Sequence, residues 1–333
     1  MSARPHSISI ALPVFNGANY LRDALDSICA QTFSDFEVVI SDNASTDKTP
    51  DICREFARRD SRIKVNRSEE FLQQADNVNR AVALCSAEWV KLFCHDDLMA
   101  PQCIASVTWT ISNCDSRVGL IGNGEEWLFA NGYCYRNRTD HNRLDHWNGR
   151  DLLRAQLTGR RGPQPPPLPS LTTATVRKRA WLMAGRFQST FSHFDTFTWI
   201  ELLMDWDYTY TPEILTTNRI HGAQVAVSAR RSLRSVADNR LFWSEFVQKN
   251  GHRLDLMKWS QLLVRNRWLG TAGTAVALQL LRRDYRSATV TFFALPAAYW
   301  PLIPAFIVRS YRHESKKIKW VASHVPMNVL YPG

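Results

Sequence analysis

The amino-acid sequence predicts an α/β chain: a mostly parallel sheet flanked by helices, with a helical extension after it. Three observations carry this. Short apolar runs alternate with stretches of helical spacing over residues 7–121, the pattern of right-handed strand–helix–strand crossovers. Three of the runs end in polar clusters, Phe15-Asn16, Asp42-Asn43 and Asp96-Asp97, and ligands of such sheets bind beyond the carboxyl ends of the strands. The run Trp89-Val90-Lys91-Leu92-Phe93-Cys94 passes through His95 into two adjacent carboxylates. Paired Asp residues do not belong in a sheet core, so the strand must stop there. Two carboxylates at a buried strand tip suit a divalent cation, which prefers oxygen ligands.

Residues 7–13 read as the first buried strand, closed by the loop Pro13-Val14-Phe15-Asn16-Gly17. Tyr20, Leu21, Ala24, Leu25 and Ile28 stand at helical spacing and predict a helix over residues 19–31. Residues 37–41 form the second strand. The next helix runs to residue 59, with Ser45 or Thr46 as its cap and Pro50 in its first turn. A third strand (63–66), a helix (76–85), the central strand, a helix (101–113) and a strand (118–121) follow. Beyond Gly122 the pattern weakens. Residues 122–147 look irregular, 151–157 helical, 171–176 strand-like, and 208–219 an extended hairpin arm. A helix ends at residues 200–204. The proline run at 162–169 fits neither helix nor central strand; it is either an exposed polyproline segment or a stiff loop beside the site.

With 333 residues the chain holds one large or two modest domains, and 45% hydrophobic content supports a real core. The net charge is +10 and the pI about 9.4, which favours an anionic partner such as nucleotide phosphate, nucleic acid or an acidic membrane surface. The seven cysteines are odd in number and none is spaced as CxxC. Reduced thiols in a cytosolic setting are expected, rather than disulfides or a zinc site. Residues 8–15 read as a strand and lack the cleavage site of a secretory signal.

Pro13-Val14-Phe15-Asn16-Gly17, the segment from Gln31 through Ile40, Ser41-Asp42-Asn43-Ala44-Ser45-Thr46-Asp47, Asp96-Asp97 and Arg219-Ile220-His221 occur in that order. Over residues 7–228 the chain resembles family-2 glycosyltransferases, whose GT-A fold is Rossmann-like. The resemblance implies a domain at 1–228, with a nucleotide-sugar-binding half (1–121) and an acceptor or catalytic half (122–228); it fades beyond Ser228, where the residues themselves read as a basic helical region at 229–333. It implies that Pro13, Phe15, Asn16, Asp42, Asn43, Asn79, Asp96 and Arg219 hold a nucleotide-sugar donor. Phe15 would lie against the base and Asp42 or Asn43 at its edge; core packing and a turn are the alternative roles of Phe15 and Asp42. Asp97 would ligate Mg²⁺ or Mn²⁺, with Asp96 nearer the ribose or donor sugar. Cys94 stands where the family often has a further carboxylate. The catalytic base, after the Gly185 turn, would be Asp195, with Glu201 as a fallback and a helix cap as the alternative role. Arg219 and His221 share a strand face by period-two alternation, which suits a pair reaching toward diphosphate or, for His221, the metal.

In the tail, residues 230–249 open a basic helix and 261–283 suggest another. Residues 287–308 carry no charge and are long enough to span a bilayer, but Pro296, Pro301 and Pro304 argue against a spanning helix. Basic residues on both sides suit a segment lying on the inner face of the cell membrane, on anionic headgroups; the alternative is packing onto the catalytic domain. The expected activity is an inverting transfer of a sugar from a nucleotide-diphosphate donor to a hydroxyl of a glycan or lipid-linked acceptor, in surface polysaccharide synthesis. The rival is a sugar-nucleotide-binding or scaffold protein with weakened turnover. A nucleic-acid binder is disfavoured, because the charge concentrates in the tail and no recognition motif is present.

Overall fold

The computed structural model describes residues 6–130, 132–136, 144–158, 165–221 and 233–254. They form ten strands of one sheet with helices packed on it. The chain divides into two compact units. The first comprises Met1–Leu128, Cys134–Thr190 and Phe194–Arg219; the second comprises Phe129–Tyr133, Phe191–His193 and the chain from Ile220 onward.

In the first unit, β1 (Ile8–Val14), β2 (Phe36–Asp42), β3 (Ile63–Arg67) and β4 (Trp89–Leu92) alternate with α1 (Leu21–Cys29), α2 (Thr49–Arg59) and α3 (Gln74–Leu84). Their pairings, β2 with β3, β1 with β2 and β1 with β4, are parallel. β1 and β2 are buried almost throughout, as expected for strands covered on both faces. Ile8, Ile10, Leu12, Phe36, Val38 and Ile40 join one cluster with Leu21, Leu25 and Ile28 of α1 and with Ile52 and Phe56 of α2. Each such side chain contributes about 1.5–3 kcal/mol when fully buried.

The opposite face of β2 carries the buried Val39 between two polar side chains, Glu37 and Ser41, and Ser41 organises α3. Ser41 Oγ donates to Asn77 Oδ1 at 2.7 Å, and Arg80 Nη1 donates to Ser41 Oγ at 2.7 Å. Glu37 is fully buried and accepts from Ser9 Oγ, Ser86 Oγ and Lys64 Nζ at 2.7, 2.6 and 2.6 Å. One carboxylate thus joins β1, β2, β3 and the turn before β4.

The rest of the sheet is added differently. β5 (Leu98–Met99) and α4 (Cys103–Asn113) follow the acidic turn, then come β6 (Val118–Phe129), β7 (Cys134–Arg136), β8 (Asp145–Trp147), α5 (Gly149–Thr158), β9 (Ala174–Arg177), α6 (Lys178–Met183), α7 (Phe194–Leu202) and β10 (Asp207–Ile220). The strand order is β3-β2-β1-β4-β9-β6-β10-β5, with β7 beside β6 and β8 beside β10. β9 pairs antiparallel with β4 and β6, and β10 antiparallel with β5 and β8. The sheet is therefore parallel at one end and antiparallel at the other, and residues 122–147, expected to be irregular, contribute to three strands.

The described part of the proline segment, residues 165–170, is a fixed loop. Proline has no N–H, and its carbonyls here are held by side-chain donors: Tyr208 Oη to Pro167 O at 2.8 Å and Trp199 Nε1 to Pro169 O at 3.0 Å.

In the second unit, α8 (Leu233–Asn250) packs Phe242, Trp243 and Phe246 together, with Phe191 against Phe242. No helix among the described residues is long and apolar enough to cross a membrane. The segments at 261–283 and 287–308 lie outside the described residues.

Candidate functional site

The carboxyl ends of β1, β2 and β4 carry loops that are tied to one another. Asn16 has a positive φ of 47°. Its backbone N–H donates to Ser45 Oγ at 2.9 Å, and its Oδ1 accepts from the Thr46 N–H at 2.8 Å. Ser45 and Thr46, expected as helix caps, instead hold the loop after β1. The helix starts later, at Thr49, whose N–H donates to Asp47 Oδ1 at 2.9 Å. Gly17 is required by close approach: a Cβ there would overlap the His95 ring and lie 2.7 Å from Val14 Cγ2. That contact seats the loop after β1 on the loop after β4.

Pro13 lies in β1 opposite Ser41. Phe15 projects from the rim, 42% exposed, and meets Phe71 edge-on with ring centroids 4.9 Å apart. Asp42 is buried and accepts from the Ser45 N–H at 3.1 Å and from Arg67 Nη1 at 2.9 Å. A base edge reaching Asp42 would share these oxygens. Asn43 exchanges two hydrogen bonds with the backbone of Leu72, at 2.9 and 2.8 Å, anchoring the segment that carries Phe71. Asn79 makes a similar pair with the backbone of Phe187, at 2.8 and 3.0 Å. It ties α3 to the segment that leads through Gly185 (φ 89°) and Arg186 (φ 64°) toward Asp195.

Asp97 is buried and held at both oxygens. The Thr172 hydroxyl donates to Oδ2, and the Arg219 backbone N–H donates to Oδ1 at 3.0 Å. The Arg219 guanidinium spans the acidic turn and α1. Nε donates to the Asp96 carbonyl, Nη1 to Asp23 Oδ2 at 2.8 Å and Nη2 to the Tyr20 carbonyl at 3.0 Å, with the Tyr20 ring centroid 4.9 Å away. Burial, joined by the charge of Asp96, pushes the Asp97 carboxyl up to about 7, against the Thr172 and Arg219 hydrogen bonds. Such a displaced carboxyl in a polar cluster is a common mark of a functional site.

One ligand atom each from Cys94, Asp96 and Asp97 lies within 4.8 Å of the others. Burial, then the charges of Asp97 and Asp96, push the Cys94 thiol far up, and a neutral thiol suits a hard cation poorly. The two carboxylates are the part of this set that fits Mg²⁺ or Mn²⁺. Asp195 occupies the first turn of α7, half-buried, with Oδ1 accepting from the Thr196 N–H at 2.8 Å. Its charge adds to the upward push on the Cys94 thiol, after burial and the charges of Asp97 and Asp96. Glu201 lies later on the same helix. His221 belongs to the second unit.

Sequence reasoning missed two residues beneath this turn, Thr172 and Lys91. Lys91 is fully buried, and burial pulls its ammonium down to about 8. A lysine in the middle of an apolar strand was the available signal. Thr172 carried none, being 75 positions from Asp97.

Residues 9–115 match the family described as glycosyl transferase family 2. Glycosyltransferase GlyG of Streptococcus pneumoniae is 27% identical over 128 residues, covering 38% of this chain and 42% of that protein. The chain thus spans less than half the length of this relative. Staphylococcus aureus TarS 1–349, solved with UDP-GlcNAc, has a TM-score of 0.59 at 16% identity, covering 94% of this chain and 91% of that one. The mannosyltransferase PcManGT of Pyrobaculum calidifontis, solved with GDP-Man and Mn²⁺, has a TM-score of 0.56 at 18% identity, covering 92% and 86%. At these identities the two structures establish a shared fold.

Proposed function

We propose, from the match of residues 9–115 to glycosyl transferase family 2, that the chain is an inverting, metal-dependent glycosyltransferase. It moves a sugar from a nucleotide-diphosphate donor to a hydroxyl of a glycan or lipid-linked acceptor, in polysaccharide synthesis. The observation that carries this reading is the buried Asp97, gripped from β10 and from Thr172 beside Asp96, at the ends of strands whose neighbouring loops present Phe15 and bury Asn43.

On this reading Phe15 stacks on the base and Asp97 is the metal ligand, with His221 a second candidate. A divalent cation would offset the charge that develops on the leaving diphosphate. Asp195 takes the proton of the acceptor hydroxyl, whose oxygen attacks the sugar carbon as the carbon–oxygen bond to the diphosphate breaks. A single displacement inverts that carbon. The catalytic domain is assigned to residues 1–228. The basic region at 229–333 makes peripheral contact with anionic membrane at the cytoplasmic face.

The Cys94 thiol in place of a carboxylate favours one rival, a donor-binding protein with weakened turnover. Thermal shift against a panel of sugar nucleotides tests donor binding, because a ligand that binds only the folded state raises its melting temperature. At least one nucleoside diphosphate sugar should stabilise the chain, and more so with Mn²⁺. No shift with any of them refutes the reading.

A further inference from the structure

Lys91 is fully buried in β4, yet the hydrogen-bond acceptors of its ammonium are uncharged: Asn123 Oδ1 at 3.1 Å, the Thr172 carbonyl at 2.5 Å and the Ala174 carbonyl at 3.4 Å. Burying an ammonium costs several kcal/mol, and the neighbours Val90 and Leu92 fill the same strand with apolar side chains. Packing alone does not call for a lysine here. The network beyond it is closed. Asn123 Nδ2 donates to the Gly124 carbonyl at 2.8 Å and to Thr216 Oγ1 at 3.1 Å, linking β6 to β10.

Thr172 is the junction. Its carbonyl accepts from Lys91, its hydroxyl donates to Asp97 Oδ2, and the same hydroxyl oxygen accepts the Cys94 backbone N–H at 3.3 Å. The residue meets the body of β4 with one group and the turn at the end of β4 with the other. The loop before it is fixed at Pro167 and Pro169 by Tyr208 and Trp199, and its neighbours by the Ala174 N–H to the Leu171 carbonyl at 3.2 Å and the Asn123 N–H to the Thr173 carbonyl at 3.3 Å; Lys91 holds the Thr172 carbonyl itself.

We infer that Lys91 is a positioning residue for the cation site: it holds the Thr172 carbonyl so that the Thr172 hydroxyl fixes Asp97 Oδ2 before a cation binds. This rests on the reading of Asp97 as a metal ligand. Groups that orient a ligand from behind typically change metal affinity by about 10–100-fold when removed.

The test is Mn²⁺ titration of the full chain, with free Mn²⁺ followed by electron paramagnetic resonance. The variants are Asp97→Asn, Lys91→Met, Thr172→Val, Thr172→Ser and the Lys91→Met/Thr172→Val double. Asp97→Asn should abolish binding. Lys91→Met and Thr172→Val should each weaken it about tenfold or more. The double should be no worse than the weaker single, because both act on one contact, and Thr172→Ser, which keeps the hydroxyl, should restore most of the affinity. If Asp97→Asn loses Mn²⁺ while folded Lys91→Met and Thr172→Val bind like wild type, the inference is wrong and the metal reading stands. Additive losses in the double also overturn it. If the wild type does not bind Mn²⁺, or Asp97→Asn binds equally well, the metal reading falls and this inference with it. Should Lys91→Met fail to fold, Thr172→Val and Thr172→Ser decide alone, and wild-type affinity in Thr172→Val is the refuting result.

Discussion

Arg219→Lys asks whether the guanidinium of β10 clamps the acidic turn or is held ready for a diphosphate. Two of its side-chain hydrogen bonds reach backbone carbonyls, those of Asp96 and Tyr20, and one reaches Asp23. The Arg219 side chain is 11% exposed and that of Asp23 is 64% exposed. Solvent screening therefore leaves the ion pair worth about 0.5 kcal/mol at most. Each bond from a charged donor to a carbonyl contributes about 1.5–3 kcal/mol, and the contact with the Tyr20 ring about 0.5–1 kcal/mol. Lysine keeps the charge but loses the fork, so it can replace one carbonyl contact at best. The expected loss is about 2–4 kcal/mol, read as a lowered midpoint in urea unfolding followed by tryptophan fluorescence. A loss below about 0.5 kcal/mol, the range of an unremarkable surface substitution, would refute the clamp. It would leave the guanidinium available to phosphate.

Three further outcomes are expected. Gly17→Ala would drive a Cβ into the His95 ring and toward Val14, costing about 1–3 kcal/mol and weakening donor affinity; wild-type stability would contradict the packing of the two loops. Glu37 should make stability acid-sensitive. Burial opposes its ionisation, but hydrogen bonds from Lys64, Ser86 and Ser9 outweigh this and hold the carboxyl at about 2 against an ordinary 4.5. Its contribution is therefore complete above pH 4.5 and is lost as pH falls from there toward 2; Glu37→Gln should flatten that part of the stability profile, and an unchanged profile would contradict the assignment. Asp195→Asn should lower turnover about 10²–10⁴-fold while leaving donor-induced thermal shift intact; loss of donor binding instead would remove Asp195 from the role of base.

Much of this was readable from residue patterns. The first four strands, their helices and the three polar strand ends follow from alternation, because both faces of a parallel sheet must be apolar and the polar residues collect where strands stop. The second half of the sheet was less readable. Periodicity marks a strand without naming its partner, so the antiparallel insertion of β9 between β4 and β6 left no trace in any single segment. β7 and β8 are three residues each, too short for alternation to register. Ser45 and Thr46 have the chemistry of helix caps, and only the position of Asn16, 29 and 30 residues earlier, shows where their hydrogen bonds go. Within the site, the carboxylates were visible because two adjacent Asp residues are conspicuous after an apolar run. Thr172 was invisible because its partners are distant in the chain.

Asp97 and its neighbours are proposed to hold a cation against a departing diphosphate. The most direct measurement is release of nucleoside diphosphate by the purified chain from the sugar nucleotide it binds, with and without Mn²⁺, for wild type and Asp97→Asn. Release is expected only with Mn²⁺ in the wild type, and none in the variant. Full turnover by Asp97→Asn, or metal-independent release by the wild type, would contradict it.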